Sequence, residues 1–486
     1  MVLTLLAASA SGTGAHAQIP GDSGIERRIG RIVQALLVET PLAGKYSTAT
    51  LSQRMRYYDT PGASIAVING SRLEWARGFG VREAGSRDSV TDRTLFQAGS
   101  ISKPIFAMGV MRLAQDGRLD LDRDVNAYLR SWKVPPSQGW QPFVTLPQLL
   151  SHSAGTTVHG FPGYLRGESL PTLVQVLDGS GPATTPPVRV NLFPGTQLRY
   201  SGGGTTVAQQ LVIDVVGRAF PQVMREVVLD RVGMTNSTYA QPLPDSLAQH
   251  AATAHPWKAR PVEGKWHVYP EMAAAGLWTT PSDLARAGIE MQLALAGEPR
   301  RLLSPETARL MLTPQPALHG EIGIGFFLTG KENSSRFGHG GWNEGFVSEM
   351  TVYRQGGYGA VVMLNSNRGA DMLPEIMRAI AREYGWPGYV KERPASTTLP
   401  ASALRRYVGR YRSTTGLRFG VTEKAGALSL SYGRQRPVEL TPVAPDSFII
   451  PVLNGTVAFT ADQRRRITAL LLEQEGSTVT AERDSP

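Results

Sequence analysis

Apolar residues recur at helical spacing from the first well-patterned segment: Ile25, Ile29, Ile32, Val33, Leu36 and Leu37 share one face of a 3.6-residue turn. Ser23 with Glu26 three places on has the form of a capping box, so a helix is predicted to start there. The pattern then changes. Ala63-Ser64-Ile65-Ala66-Val67-Ile68 is an apolar run of strand length, Asn69-Gly70 is a tight-turn signal, and Leu73, Trp75 and Phe79 mark a returning strand. Two further strand patterns lie far downstream, Phe346–Tyr353 and Gly359–Leu364, around Gln355-Gly356-Gly357, with a helical pattern over Leu373–Tyr384 behind them. Between the two hairpins the periodicity is mostly helical, as in Phe106, Val110, Met111 and Leu113, and again in Val207, Leu211, Val212 and Val215. The fold class read from this order is α/β of the α+β type. One antiparallel sheet is flanked by helices and interrupted by a large helical insertion.

Beyond Trp386 the texture changes again. Glu392-Arg393-Pro394-Ala395-Ser396-Thr397-Thr398-Leu399-Pro400 reads as a linker, and short alternating segments such as Leu428-Ser429-Leu430-Ser431-Tyr432 and Thr456-Val457-Ala458-Phe459 follow it. They predict a small all-β module, barrel or sandwich. At the other end, Val2–Ala8 is apolar but too short to span a bilayer, and Ala15-His16-Ala17 before Gln18 has the form of a signal cleavage site. The expected organisation is a signal peptide over 1–17, a main domain over 18–390, a linker over 391–400 and the β module over 401–486. The chain is accordingly expected to be exported, to the periplasm or the exterior. No later stretch is apolar for long enough to predict stable insertion in a membrane.

Composition narrows the function classes. The 486 residues are 41% hydrophobic and 19% charged, which is the balance of a globular protein. Cysteine is absent, which excludes disulfides, thiol nucleophiles, iron–sulfur clusters and thiolate zinc sites. The net charge of +10 is spread along the chain, its longest basic run being Arg464-Arg465-Arg466, so no nucleic-acid partner is expected.

Three stretches carry chemistry. Ser100-Ile101-Ser102-Lys103 sets a lysine amine three residues from a serine, one helical face apart, where the amine can take the hydroxyl proton. Arg199-Tyr200-Ser201-Gly202-Gly203-Gly204 places a tyrosine just before an apolar helix, and no lysine follows the glycines as a phosphate loop requires. In Phe337-Gly338-His339-Gly340-Gly341-Trp342, glycines such as Gly341 let a substrate approach the strand, with His339 beside it. His339 has no second ligand at metal spacing, so no metal is expected. Each stretch alone has an ordinary explanation: a chance serine–lysine spacing, a loop-bracing tyrosine, a structural histidine.

In this order the three motifs resemble those of the penicillin-recognising serine hydrolases, the relatives of class C β-lactamases, D-alanyl-D-alanine carboxypeptidases and D-aminopeptidases. The likeness extends over residues 55–385 and includes Thr94–Ser100, Gly117–Asp122, Thr145–Gly155 and Ala275–Leu284. It implies a β-lactamase/transpeptidase-like fold with Ser100 as acylated nucleophile, Lys103 as its base and Tyr200 as a proton relay. It further implies an oxyanion hole formed by the backbone N–H groups of Ser100 and Trp342. His339 stands where class C β-lactamases have the lysine of Lys-Thr-Gly, so His339, Gly341 and Trp342 are expected to contact substrate. As an imidazolium, His339 is expected to hold a substrate carboxylate and to lose most of that charge between roughly pH 6 and 8 unless a bound anion raises its pKa. Gly202 departs from the asparagine common at that place. His152 is read as structural, and Asp283 as the cap of the helix that follows it. Tyr407-Val408-Gly409-Arg410-Tyr411 resembles the lipocalin-like domains appended to some of these hydrolases. The resemblance implies no cofactor. The expected substrate is a small D-amino-acid peptide cleaved at an amide bond; a β-lactam or an ester is the alternative, and a non-catalytic protein on the same fold is a further one.

Overall fold

The unbroken apolar run at Ala63–Ile68 does not alternate because both faces of its strand are covered. In a computed structural model that describes residues 23–39, 46–298, 301–315, 321–390, 397–433, 435–450, 455–474 and 477–484, β1 (Gly62–Asn69) is buried along nearly its whole length. Ala66 and Ile68 face one core, and Ala63, Ile65 and Val67 face another. The expected leader and most of the linker lie outside the described residues.

β1 and β2 (Arg72–Gly80) form the predicted hairpin, but its tight turn is shifted by one residue. Asn69 pairs with Arg72, so Gly70 and Ser71 are the central residues, with φ of 58° and 56°. Positive φ at both places fits the right-handed twist of the strands.

The sheet is completed from the far side of the helical insertion by β3 (Phe327–Thr329), β4 (Arg336–Asn343), β5 (Phe346–Tyr353) and β6 (Gly359–Leu364). Its order is β2-β1-β6-β5-β4-β3, antiparallel throughout. One face is covered by α1 (Ser23–Gln34) and by the helix Met372–Glu383, which brings Ile376, Met377 and Ile380 to the core. Ser23 is the first helical residue here rather than a cap reciprocated by Glu26, whose carboxylate pairs with Arg77 at 2.8 Å.

The other face carries the insertion, with α2 (Ser102–Gln115), α3 (Gly202–Val216) and α4 (Pro281–Leu295) around the larger core. Gly288 lets α4 lie close to the sheet, since a Cβ there would stand 2.7 Å from Val352 Cγ2. The cap of α4 is Thr280, whose hydroxyl accepts from the Asp283 N–H, and not Asp283 itself. Asp283 instead accepts from the Asn236 N–H and the Ser237 hydroxyl and pairs with Arg286.

The C-terminal module is a closed antiparallel barrel of eight strands in sequential order, from Gly409–Ser413 to Ser477–Arg483, and the first strand pairs with the last. Tyr407, Tyr411, Phe448 and Phe459 pack ring against ring inside it. A barrel of eight strands is narrow enough for side chains to fill. Among the described residues no helix is long and apolar enough to cross a membrane.

Candidate active site

Ser100 sits in a single 3₁₀ turn, Gly99–Ile101, that runs directly into α2. The preceding segment is tied down on both sides. The Ala98 N–H donates to Leu277 O at 2.9 Å, Ala98 O accepts from the Ser348 hydroxyl at 3.0 Å, and the Ser102 hydroxyl donates to Gly99 O at 2.6 Å. Gly99 has φ of 53°, and a Cβ there would lie 2.5 Å from Trp342 N. Only glycine allows this turn and strand β4 to meet so closely.

Lys103, one turn along α2, is buried, and its Nζ lies 3.0 Å from Ser100 Oγ and 2.8 Å from Ala274 O. Tyr200, at the entry to α3, turns its ring toward the same amine, with Nζ 5.0 Å from the ring centroid. Two histidines flank that ring: His152 at 4.2 Å and His159 at 4.9 Å between centroids. His152 is buried, which holds its imidazole neutral, and Nδ1 accepts from the Ser201 N–H at 3.2 Å. Both sides of this region hold left-handed backbone at non-glycine residues, His152 with φ of 59° and Val158 with 64°. Such conformations cost free energy and persist where surrounding contacts fix them.

The first two glycines of the second motif, Gly202 and Gly203, are explained by packing. The loop 156–161 runs across the start of α3: the Gly202 N–H donates to His159 O and the Gly203 N–H to Val158 O. A Cβ at Gly202 would stand 2.9 Å from Phe161 Cε2, and one at Gly203 would stand 2.7 Å from Thr157 O. A side chain at Gly202 would have to displace the Phe161 ring, and His159 lines the cleft beside Tyr200.

His339 lies on β4 with its Nδ1 2.6 Å from Gly340 O, which requires the proton on Nδ1 and leaves Nε2 as an acceptor. Nε2 is buried and has no hydrogen-bond partner among the described residues. Loss of water, reinforced by the positive charge of Lys103, lowers its pKa to about 3. Both effects disfavour the imidazolium expected from the sequence, so the ring stands beside Ser100 as a neutral acceptor. Gly341 closes on the nucleophile's segment, where a Cβ would lie 2.0 Å from Ala98 O.

Strand β3 pairs with β4 only as far as Gly338, so the outer edge of Gly340–Trp342 is open. In the β4–β5 hairpin Asn343 pairs with Phe346 beside the turn. Hydrogen-bond directions alternate along an antiparallel strand, so the Trp342 N–H points to that open edge, beside Ser100. The indole of Trp342 is exposed at the mouth. Ser100, Tyr200, His159, His339, Phe327 and Trp342 line one cleft of about 410 Å³. A larger groove of about 660 Å³, lined by Met55, Pro61 and Phe79, has no lysine or histidine in its wall. Among the described residues no group of three or more His, Asp or Glu side chains is placed to hold a metal ion.

This site on this sheet decides the kinship, because the Beta-lactamase family profile matches residues 48–383. The chain belongs to the Beta-lactamase family. It is a member of the serine hydrolases that include the penicillin-binding proteins, and it has the β-lactamase fold. It is similar to Protein flp of Staphylococcus aureus (strain N315), 22% identical over 365 residues, 74% of this chain and 68% of flp. The octameric penicillin-binding protein homologue from Pyrococcus abyssi superposes with a TM-score of 0.59 at 21% identity, over 89% of this chain and 98% of that one. The D-amino acid amidase from Ochrobactrum anthropi SV3 superposes at 0.55 and 19% identity, over 75% and 98%.

Sequence reading missed His159 and Glu349, the second of which also lines the cleft. The available signal for Glu349 was an acidic residue inside the apolar strand Phe346–Tyr353.

Proposed function

We propose that this β-lactamase-family member is an exported hydrolase that forms an acyl-enzyme at Ser100 and cleaves amide bonds of D-amino-acid peptides. The observation that carries the reading is the 3.0 Å approach of Lys103 Nζ to Ser100 Oγ beside an open strand edge. As Oγ bonds the substrate carbonyl carbon, its proton passes to Lys103, which must act in this step as the neutral amine. The carbonyl oxygen becomes an oxyanion held by the N–H groups of Ser100 and Trp342, each such donor contributing about 2.7–4 kcal/mol in comparable hydrolases. When the tetrahedral adduct collapses, the C–N bond breaks and the leaving amine collects a proton through Tyr200. Water then attacks the ester and the same groups act in reverse. The D-amino-acid reading is in keeping with the likeness in fold to proteins named as a D-amino acid amidase and a D-alanine carboxypeptidase.

The test is covalent. A fluorophosphonate should add one mass adduct at Ser100, and Ser100→Ala should keep its melting curve and take up none. A panel of D-amino-acid amides and peptides, nitrocefin and short-chain nitrophenyl esters should show the D-amides turned over with the highest kcat/KM. Labelling that persists in Ser100→Ala would end the acyl-enzyme reading, and fastest turnover of nitrocefin or an ester would replace the substrate.

A further inference from the structure

Two tight turns of the helical insertion carry exposed aromatic rings. The first is closed by the Trp140 N–H, which donates to Ser137 O at 2.9 Å, and by the Ser137 N–H, which donates to Trp140 O at 2.8 Å. Its central residues, Gln138 and Gly139, have φ of 49° and 84°, as a two-residue hairpin requires. The second is held by the Thr196 hydroxyl, which donates to Phe193 O at 2.8 Å, with Gly195 at φ of 85°. The turns bring Trp140 and Phe193 to 5.3 Å between ring centroids, yet Phe193 stays 70% exposed. Phe143 and Leu198, in the same two segments, are exposed as well. Single exposed apolar side chains are ordinary, but a group of them at neighbouring turns marks a contact surface.

The charge of the two segments says what that surface meets. No Asp or Glu occurs between Asp124 and Glu168, nor between Asp178 and Asp214, whereas Arg130, Lys133, Arg189 and Arg199 do. Arg130 and Lys133 are exposed. Two of the bounding acids are engaged by the first segment itself: Asp178 accepts from the Trp132 indole N–H at 2.8 Å, and Asp214 from the Ser131 hydroxyl at 2.6 Å. A second copy of the chain would set this cationic surface against its own kind, in a molecule of net charge +10. An anionic bilayer suits it on both counts, because rings enter the headgroup layer and cations meet the lipid phosphates.

We propose that this face docks on the anionic surface of a phospholipid bilayer, with Trp140, Phe143 and Phe193 entering the headgroup layer. Contact of this kind lies on the membrane and needs no spanning helix. Leu198 precedes Tyr200 by two residues, so the docking face borders the cleft of the nucleophile.

The experiment sediments the full chain with vesicles of phosphatidylcholine alone and with vesicles of phosphatidylcholine and phosphatidylglycerol in equal parts. The wild type should bind the mixed vesicles about tenfold more tightly, and added salt should weaken that binding. Trp140→Ser combined with Phe193→Ser should lower the affinity about tenfold. Should that double variant not melt as the wild type does, Phe143→Ser is read in the same way, with a loss of about threefold expected. Equal binding of the wild type to the two kinds of vesicle, or binding to neither, overturns the proposal whatever the variants do. So does undiminished binding by natively melting variants, or an equal loss in Trp257→Ser, whose exposed indole lies on another hairpin. A dimer that the double variant dissolves, from a chain that binds no vesicle, would give the face to a second copy and overturn the bilayer.

Discussion

At His339 two effects act in one direction: loss of water and the field of Lys103 both disfavour the imidazolium, which leaves the pKa at about 3. Between pH 6 and 8 the ring therefore does not titrate. The kcat/KM profiles of a carboxylate-bearing substrate and a neutral ester should run parallel through that window, as steady-state assays at half-unit steps will show. Curves that diverge around pH 6.5 would restore the charged histidine. Glu271 shows the opposite sign. It is fully buried, neither carboxyl oxygen has a partner on another of the described residues, and burial raises its pKa from 4.5 to about 7. The unfolded chain gives up this proton near 4.5 and the folded chain keeps it until about 7, so the folded state binds more protons in between. Stability should fall as pH rises through that interval, by about 3 kcal/mol at the most. Glu271→Gln should melt higher than the wild type at pH 8 and show a flatter slope from pH 5 to 8 in calorimetry; an unchanged slope would mean the carboxyl is hydrated. Neither shift was legible in the sequence, which gives the titratable group but not how dry its surroundings are.

At the scale of elements, what the sequence made legible was local spacing. Ser100 and Lys103 meet because they lie one turn apart at the entry to α2, and Tyr200 precedes its helix as the pattern said. What it hid depends on contacts between segments far apart in the chain. Gly202 looked like a lost asparagine until the loop 156–161 was seen to fill that space, with Phe161 Cε2 2.9 Å from a would-be Cβ. Asp283 looked like a cap, but Thr280 caps and Asp283 binds Asn236 and Ser237 from another segment. The same kind of contact makes Gly341 sensitive. A Cβ there would stand 2.0 Å from Ala98 O and 2.2 Å from Ser348 Oγ, and the first is backbone that cannot turn aside. Gly341→Ala must push β4 away from the turn that carries Ser100. Destabilisation of about 1–3 kcal/mol is expected from the overpacking, with acylation slowed about 100-fold by the displaced geometry. Stopped-flow labelling of a folded Gly341→Ala at the wild-type rate would show that the close approach is not needed.

For the whole molecule, the break in texture after Trp386 marked a change of architecture, and the packing follows it. The two apolar clusters that sandwich the sheet draw on residues between Ile25 and Val390, and the barrel's cluster draws on residues between Leu399 and Ala481. Barrel against sandwich could not be read from the alternating segments, because closure depends on the first strand meeting the last, Tyr411 beside Arg483. Closure also leaves the barrel without an edge that needs another strand. The sheet is likewise completed within its own part of the chain, since its six strands all come from Gly62–Leu364. We propose that the two are separate folding units, each holding its own core. The full chain should then melt in two calorimetric transitions, and a chain ending at Val390 should keep one of them and still take up fluorophosphonate at Ser100. A shortened chain that melts without cooperativity, from which the acylation is also lost, would show that the barrel supplies part of the hydrolase core.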